Sequence, residues 1–511
     1  MDAPPIWEIN GADRHAEALS DPRRRLNWQE LESRTNAFGR GLEALGLVPG
    51  SHIVLSCSSR AEFIEALFGA LRAGMVVTPV KTSWTATELG HVLEDAGTRL
   101  VIGDVLSAQA AARERGIPVL DVDAGASGEG FESWLASHDD APLPRERAGM
   151  RLSYTSGTTG RPKGVVRAND VARPWCDAFA ASSAFREVLQ VPTTGPHLNV
   201  SALFHGAPLA FSLALMACGA PLRILGGWSP EGVLSALSDG VHSTCMVPTM
   251  FRQLLALPDD QRGHFSVASL NCVLHGGEPC PQPLKRAMVE WFGPILNEYY
   301  GMTEGGLTVA TSAEWLDRPG TVGRGQLGMT LEILDEEGLV LPARSEGTIY
   351  FRSPRGRAFE YRGAPEKTEQ AYSAAGAFTV GDVGWLDEDG YLFISGRKAD
   401  LIVSAGVNVY PAEIEDMLFA LSEVRDACVV GAPDKLRGET IWAFVVLSEQ
   451  ARAEEEAALA RIGAACEARL AGYKRPRAFF VRDEVPRDGT GKLLREVLRR
   501  EVWGERSGFA V

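Results

Sequence analysis

Residues 154–166 read YTSGTTGRPKGVV, and no other stretch constrains the chain as tightly. Thirteen residues hold three glycines, four Ser/Thr hydroxyls and two cations. Gly157, Gly160 and Gly164 permit backbone angles that a side chain would forbid. Thr155, Ser156, Thr158 and Thr159 offer hydroxyls, and the bared N–H groups can line a concave nest for anionic oxygens. Pro162 stiffens the turn before Lys163, which adds a point charge. Such a loop suits a polyphosphate. It is not the G-x-x-x-x-G-K-[ST] loop, because Gly164 follows Lys163 where that loop needs Ser or Thr.

At 511 residues the chain is too long for one ordinary core, and two or more domains are expected. Its net charge of −15 argues against a general nucleic-acid or acidic-membrane binder. The eight cysteines (57, 176, 218, 245, 272, 280, 428 and 466) form no close C-x-x-C pair, so reduced thiols are expected. No basic start followed by an apolar run opens the sequence, and no apolar run reaches the ~18 residues of a spanning helix. The nearest, 207–225, is interrupted by Pro208, Gly219, Pro221 and Arg223. We therefore expect a cytoplasmic protein without a membrane span.

Residues 28–47 repeat apolar positions at helical spacing and end at Gly46. HIVLSC at 52–57 reads as a buried strand, 61–74 as a helix closed by Gly74, and 75–80 as the next strand. The alternation continues through strands at 100–104, 118–122, 222–225, 243–247, 271–277 and 295–301. This implies a mostly parallel sheet covered on both faces. Residues 123–149 are rich in Gly, Ser and acids and read as an exposed loop. From 320 onward, LEILDEEGLVLPARSEGTIYFRS alternates apolar and polar residues and suggests an antiparallel subdomain. The composition changes again near 396–400. Beyond it we expect helix 411–421, strands at 427–432 and 441–447, a long Ala/Glu-rich helix at 450–471, a strand at 478–481 and a final helix at 493–502. The fold class is α/β: a large domain of layered sheets and helices over 1–396 with an antiparallel subdomain, a hinge at 397–400, and a small mobile α+β domain over 401–511.

Four further strings carry chemistry. NCVLHGGEP (271–279) puts Gly276-Gly277 at a strand end, where a flat ring can approach the backbone. NEYYGMTE (297–304) supplies Tyr300 to stack on such a ring, and Thr303 and Glu304 as a hydroxyl and carboxylate suited to a phosphate–Mg²⁺ pair. FTVGDVGWLDEDGYLFISGR (378–397) sets Asp382 at a strand end. PRDGTGKLLR (486–495) places Lys492 in a Gly-rich loop that opens a helix, where a cation can neutralise developing charge.

Taken together, these strings resemble the adenylate-forming superfamily of acyl-CoA synthetases, aryl-CoA ligases, carrier-protein adenylation domains and beetle luciferases. The stretches 246–251 and 275–294 look closest to actinobacterial fatty-acyl-CoA synthetase-like proteins. The resemblance implies ATP/AMP, Mg²⁺ and coenzyme A as cofactors. It assigns the phosphates to Thr155, Ser156, Gly157, Thr158, Thr159, Gly160 and Lys163. Adenine contacts fall to Gly276, Gly277, Glu278, Tyr299, Tyr300 and Gly301, with Met302 and Thr303 beside them. Glu304 and Thr155 would assist Mg²⁺, Asp382 would take both ribose hydroxyls, and Arg397 would contact ribose or phosphate. Lys492 would serve the first half-reaction, after which the small domain rotates for the second. His205, beside Phe204, would border the acyl pocket. Ala405 and Gly406 would line the pantetheine tunnel, and the basic GYKRPR (472–477) could contact CoA.

Two positions depart from the pattern. Ala399 stands at the pivot where Lys or Asp is common, and Ala405-Gly406 replaces a common Gly-Gly. The resemblance implies a ligase that activates a hydrophobic carboxylic acid as acyl-AMP and passes it to CoA. The alternatives are loading of an acyl carrier protein, or thioester formation alone from a supplied acyl-adenylate. No acidic residue in these stretches is set to capture an α-amine.

Overall fold

The computed structural model describes residues 2–124, 130–145, 147–156, 162–167, 173–192, 194–404, 406–487 and 493–504. The first long helix, Trp28–Ala44, begins at a capping box: Asn27 accepts from the Glu30 N–H, and Glu30 accepts in return from the Asn27 N–H, both at 2.8 Å. Its apolar face (Leu31, Phe38, Leu42) packs on the helix Ala61–Arg72, every residue of which is buried. That burial strands charges, and each is matched: Arg72 meets Glu32 at 2.5 Å, and Glu65 meets Arg34 at 2.5 Å and Arg24 at 3.0 Å. An unmatched charge there would cost several kcal/mol, about 3–5 by analogy with broken buried pairs.

Residues 123–149 were expected to be loop. Among those described, Phe131–Ala136 is helical. Tertiary packing supplies the reason: Phe131 stacks on Phe38 at 5.4 Å, and Trp134 lies against Gly41.

Two sheets build most of the larger domain. A six-stranded sheet runs Arg173–Pro174, Ala148–Arg151, Val76–Pro79, His52–Leu55, Thr98–Gly103, Val119–Asp121, with its inner pairs parallel. The second sheet has thirteen strands. Its parallel centre holds Leu222–Ile224, His197–Asn199, Ser243–Met246, Cys272–Gly276 and Leu296–Gly301. From Leu296–Gly301 outward the pairing becomes antiparallel through Leu307–Ala310, Thr321–Gly325, Leu392–Arg397, Asp382–Leu386, Gly347–Arg352 and Thr330–Leu334. The antiparallel region expected beyond 320 thus continues the parallel sheet. The apolar helix Gly206–Met216 contributes Phe211 and Leu215 to the core on one face of this sheet, beside Tyr299.

The smaller domain is a five-stranded sheet dominated by the antiparallel pair Val424–Asp434 and Gly438–Leu447. Helices Pro411–Phe419 and Glu455–Arg469 share one core with it, and Arg495–Trp503 closes the other side through Leu498. The long helix expected over 450–471 is broken, because Glu454 leaves helical angles (φ −129°, ψ 47°) between Glu449–Arg452 and Glu455–Arg469. The last helix starts at Arg495, two residues late, since Leu493 bridges back to Arg487. Among the described residues, no helix is long and apolar enough to cross a membrane.

Candidate active site

The Gly-rich string lies on a β-hairpin. Ser153–Ser156 and Pro162–Arg167 are antiparallel, with Thr155 opposite Lys163, and Phe359–Tyr361 pairs on the far edge. Tyr154 anchors the first strand by donating to Asp95 at 2.5 Å. Gly157, Thr158, Thr159 and Gly160 lie outside the described residues, as do Ala405 and Lys492. Ser156 is placed only as the last residue of its strand. Lys163 is half-buried, with its Nζ 6.0 Å from the Tyr361 ring. Burial, then the neighbouring Lys367 cation, pulls the Lys163 ammonium down to about 8.

Tyr361 links this hairpin to the next group. Its hydroxyl donates to Glu304 Oε1 at 2.8 Å, and Glu304 is 7% exposed. The turn Met302–Gly305, closed by the Gly305 N–H on the Met302 carbonyl, holds the carboxylate in place. Met302 and Thr303 are half-buried on the same turn, and Gly301 is exposed at the strand end.

Tyr300, also half-buried, donates to Asp382 Oδ2 at 2.5 Å. Burial, then Asp382, pushes its phenol well above the ordinary range, and Glu304 adds to the rise. Asp382, 4% exposed, also accepts from Arg397 Nε at 3.0 Å; the two residues are register partners on adjacent strands. The run Lys163–Tyr361–Glu304–Tyr300–Asp382–Arg397 therefore unites segments from three distant parts of the sequence.

Tyr299 does not join that run. Successive strand residues face opposite sides, and Tyr299 is buried with its ring edge on Phe211 at 4.9 Å. The strand-end glycines are required by geometry. Gly277 has φ +83°, and a Cβ on Gly276 would fall 2.1 Å from the Tyr299 carbonyl oxygen.

The side chain of Glu278 also turns elsewhere than the adenine role implies. Its Oε1 accepts from the Thr249 N–H at 2.5 Å, and its Oε2 accepts from Arg487 Nη1 at 3.0 Å. Arg487 belongs to the smaller domain, where it grips Asp426 with Nε at 3.0 Å and Nη2 at 2.8 Å. Burial opposes the Arg487 charge, but Asp426 and then Glu278 outweigh it, so the net shift is upward.

His205 occupies the N-cap position of helix Gly206–Met216 without a side-chain capping bond, and its ring packs on Phe204 at 4.5 Å. At the pivot, Lys398–Asp400 forms a short 3-10 turn, and the Ala399 carbonyl accepts from Arg499 at 2.9 Å. Gly406, with φ +77°, is exposed on the hairpin that joins Ile402–Ser404 to Val407–Val409. The basic string at 472–477 is largely committed: Lys474 pairs with Glu413 at 2.6 Å, and Arg475 donates to the Leu470 carbonyl.

Sequence reasoning missed Tyr361, Lys367, Thr249 and Arg487. Thr249 and Arg487 stood inside singled-out strings, 246–251 and 486–495, but nothing in either string pointed to Glu278.

Comparison with known proteins identifies the family. The family described as AMP-binding enzyme matches residues 8–358, and the AMP-binding enzyme C-terminal domain matches 413–492. A fatty acid–[acyl-carrier-protein] ligase, ScoC of Streptomyces coeruleorubidus, is 32% identical over 94% of this chain and 92% of its own length. A 2-succinylbenzoate–CoA ligase of Geobacillus kaustophilus is 33% identical over 95% of each chain. The crystal structure of ATP-bound MatB from Rhodopseudomonas palustris superposes with a TM-score of 0.83 at 28% identity, covering 99% of both chains. The chain belongs to the AMP-binding enzyme family, whose members are ATP-dependent, AMP-forming ligases.

Proposed function

We propose that this enzyme activates a hydrophobic carboxylic acid and transfers it to the thiol of coenzyme A. Carboxylate oxygen attacks the α-phosphorus of ATP and pyrophosphate leaves, giving acyl-AMP. The CoA sulfur then attacks the acyl carbon, loses its proton and expels AMP. The observation that carries this reading is the grouping of Lys163, Tyr361 and Glu304 with Tyr300, Asp382 and Arg397 through the strand end 300–304.

In this reading the Tyr300 ring lies under adenine beside Gly276 and Gly277. Asp382 has spent one acceptor position on Tyr300 and one on Arg397. A carboxylate offers about four, so two remain for the ribose hydroxyls. Thr155 and Lys163 meet the phosphates. The buried Glu304 carboxylate, with one oxygen held by Tyr361, fits Mg²⁺ bound as in phosphate sites, through one protein carboxylate plus substrate oxygens. Bound Mg²⁺ would neutralise phosphate charge. Lys492 approaches the reacting oxygens from the smaller domain, which we place at 401–511, pivoting at 397–400 on the larger domain at 1–396. Gly406 and Ala405 face the pantetheine arm after rotation. The apolar acid is supported by Phe204, His205 and the helix Gly206–Met216, whose eleven residues include no charge.

Carrier-protein transfer is the second reading, favoured by the likeness to the ScoC ligase. The test is ATP–pyrophosphate exchange over short, long, aryl and polycyclic acids, with thioester detected by mass spectrometry on CoA and on an acyl carrier protein. Exchange plus CoA thioester with one acid supports the first reading, and thioester on the carrier alone supports the second. Thioester from supplied acyl-AMP without exchange would reduce the enzyme to its second half-reaction.

A further inference from the structure

Two carboxylates on different domains converge on a single guanidinium. Asp426 lies in the strand Val424–Asp434 of the smaller domain, and Glu278 follows the Gly276-Gly277 strand end of the larger. Arg487 bonds both, at 2.8–3.0 Å, and its Nη1 also donates to Thr249 Oγ1 at 3.2 Å. Its side chain is 14% exposed, and that of Glu278 only 6%. Beside this junction, Arg252 of the larger domain sits over the Phe419 ring of the smaller, at 4.8 Å.

In the sequence Arg487 lies five positions before Lys492. Leu493, the first after it, bridges back to Arg487, and the Leu494 N–H donates to the Pro486 carbonyl at 2.8 Å. Arg487 and Leu493 are thus fastened to each other, and Arg487 fastens them to Glu278.

We propose that Arg487 is a positioning residue for the first half-reaction: it latches the smaller domain to Glu278 and Thr249 and so presents the Lys492 segment to the nucleotide. The inference rests on the two-step reading above. The latch is polar and small, so it can break when the domain rotates, unlike an apolar interface. Removing Arg487 does more than delete bonds. It leaves Asp426 and Glu278 to face each other as unmatched anions, which drives the domains apart.

The test uses the full chain with Arg487→Ala, Arg487→Lys and Asp426→Asn. Arg487→Ala should lower pyrophosphate exchange by roughly thirty- to hundredfold, while thioester formation from supplied acyl-AMP and CoA stays within about twofold. Arg487→Lys should recover part of the exchange, because one charge is kept but the two-sided fork is lost. Asp426→Asn should give a smaller loss of the same kind. Equal loss of both half-reactions, or no loss of exchange, overturns the proposal. Hydrogen exchange reads the latch without turnover: the amides of 249–252, Glu278 and Cys280 should lose protection in Arg487→Ala, while the core strand 427–432 keeps its own. Unchanged protection at 249–252 overturns the latch even if the wild-type enzyme shows pyrophosphate exchange with none of the acids. Lost protection in such an enzyme leaves the latch standing and overturns the two-step reading alone.

Discussion

At the scale of single residues, the site is defined by what each polar atom already holds. Lys163 is charged below about 8 and loses its proton as pH rises through that value. Affinity of the free enzyme for ATP should therefore fall between pH 7 and 9, by up to about tenfold at pH 9. Calorimetric titration across that range checks it. Lys367→Ala removes the neighbouring cation, so the fall should move to higher pH. Tyr300→Phe keeps the ring but removes the hydroxyl bonded to Asp382. Losing a hydrogen bond to a charged group costs about 1.5–3 kcal/mol, and the KM for ATP should rise about tenfold or more. The sequence named Lys163, Tyr300, Asp382 and Arg397 because each stands in a short string with few alternatives. It could not separate Tyr299 from Tyr300, since adjacent strand residues differ only in the face they present.

At the scale of elements, the strand His197–Asn199 carries a histidine that burial pulls down to about 4, with Ser243 Oγ 3.0 Å from its Nδ1. Its folded value lies below the unfolded value of about 6.5. Its contribution to stability is therefore intact above pH 6.5 and is lost as pH falls toward 4, by at most roughly 3 kcal/mol. Urea midpoints should drop over that window, and His197→Gln should flatten the slope. The helix Trp28–Ala44 depends on Phe38, fully buried and stacked on Phe131. Phe38→Ala should cost about 3–5 kcal/mol in a urea titration and loosen the helix Phe131–Ala136 with it. That second helix was illegible from its own sequence. Gly, Ser and acidic residues surround it, and the surface that makes it helical is more than ninety positions away in the sequence.

At the scale of the whole molecule, two bodies meet at a polar seam. A chain cut to residues 1–400 keeps Tyr300, Glu304, Asp382 and Arg397 and should bind AMP within a few-fold of the full enzyme. It should show no pyrophosphate exchange, because Lys492 and Arg487 are gone. Exchange surviving in that truncation would remove the smaller domain from the first half-reaction.

The amino-acid sequence by itself determined the alternation of strands and helices, the Gly-rich loop, the strand-end Gly-Gly and the strand-end carboxylate Asp382. These depend on periodicity, on backbone freedom at glycine, and on chemistry packed into short strings. Only the tertiary structure decided which residues finish the site. Tyr361 reaches Glu304 across 57 positions, and Arg487 reaches Glu278 across 209. Such pairs leave no local pattern, because the distance that matters is set by how strands order in a sheet and how two domains dock.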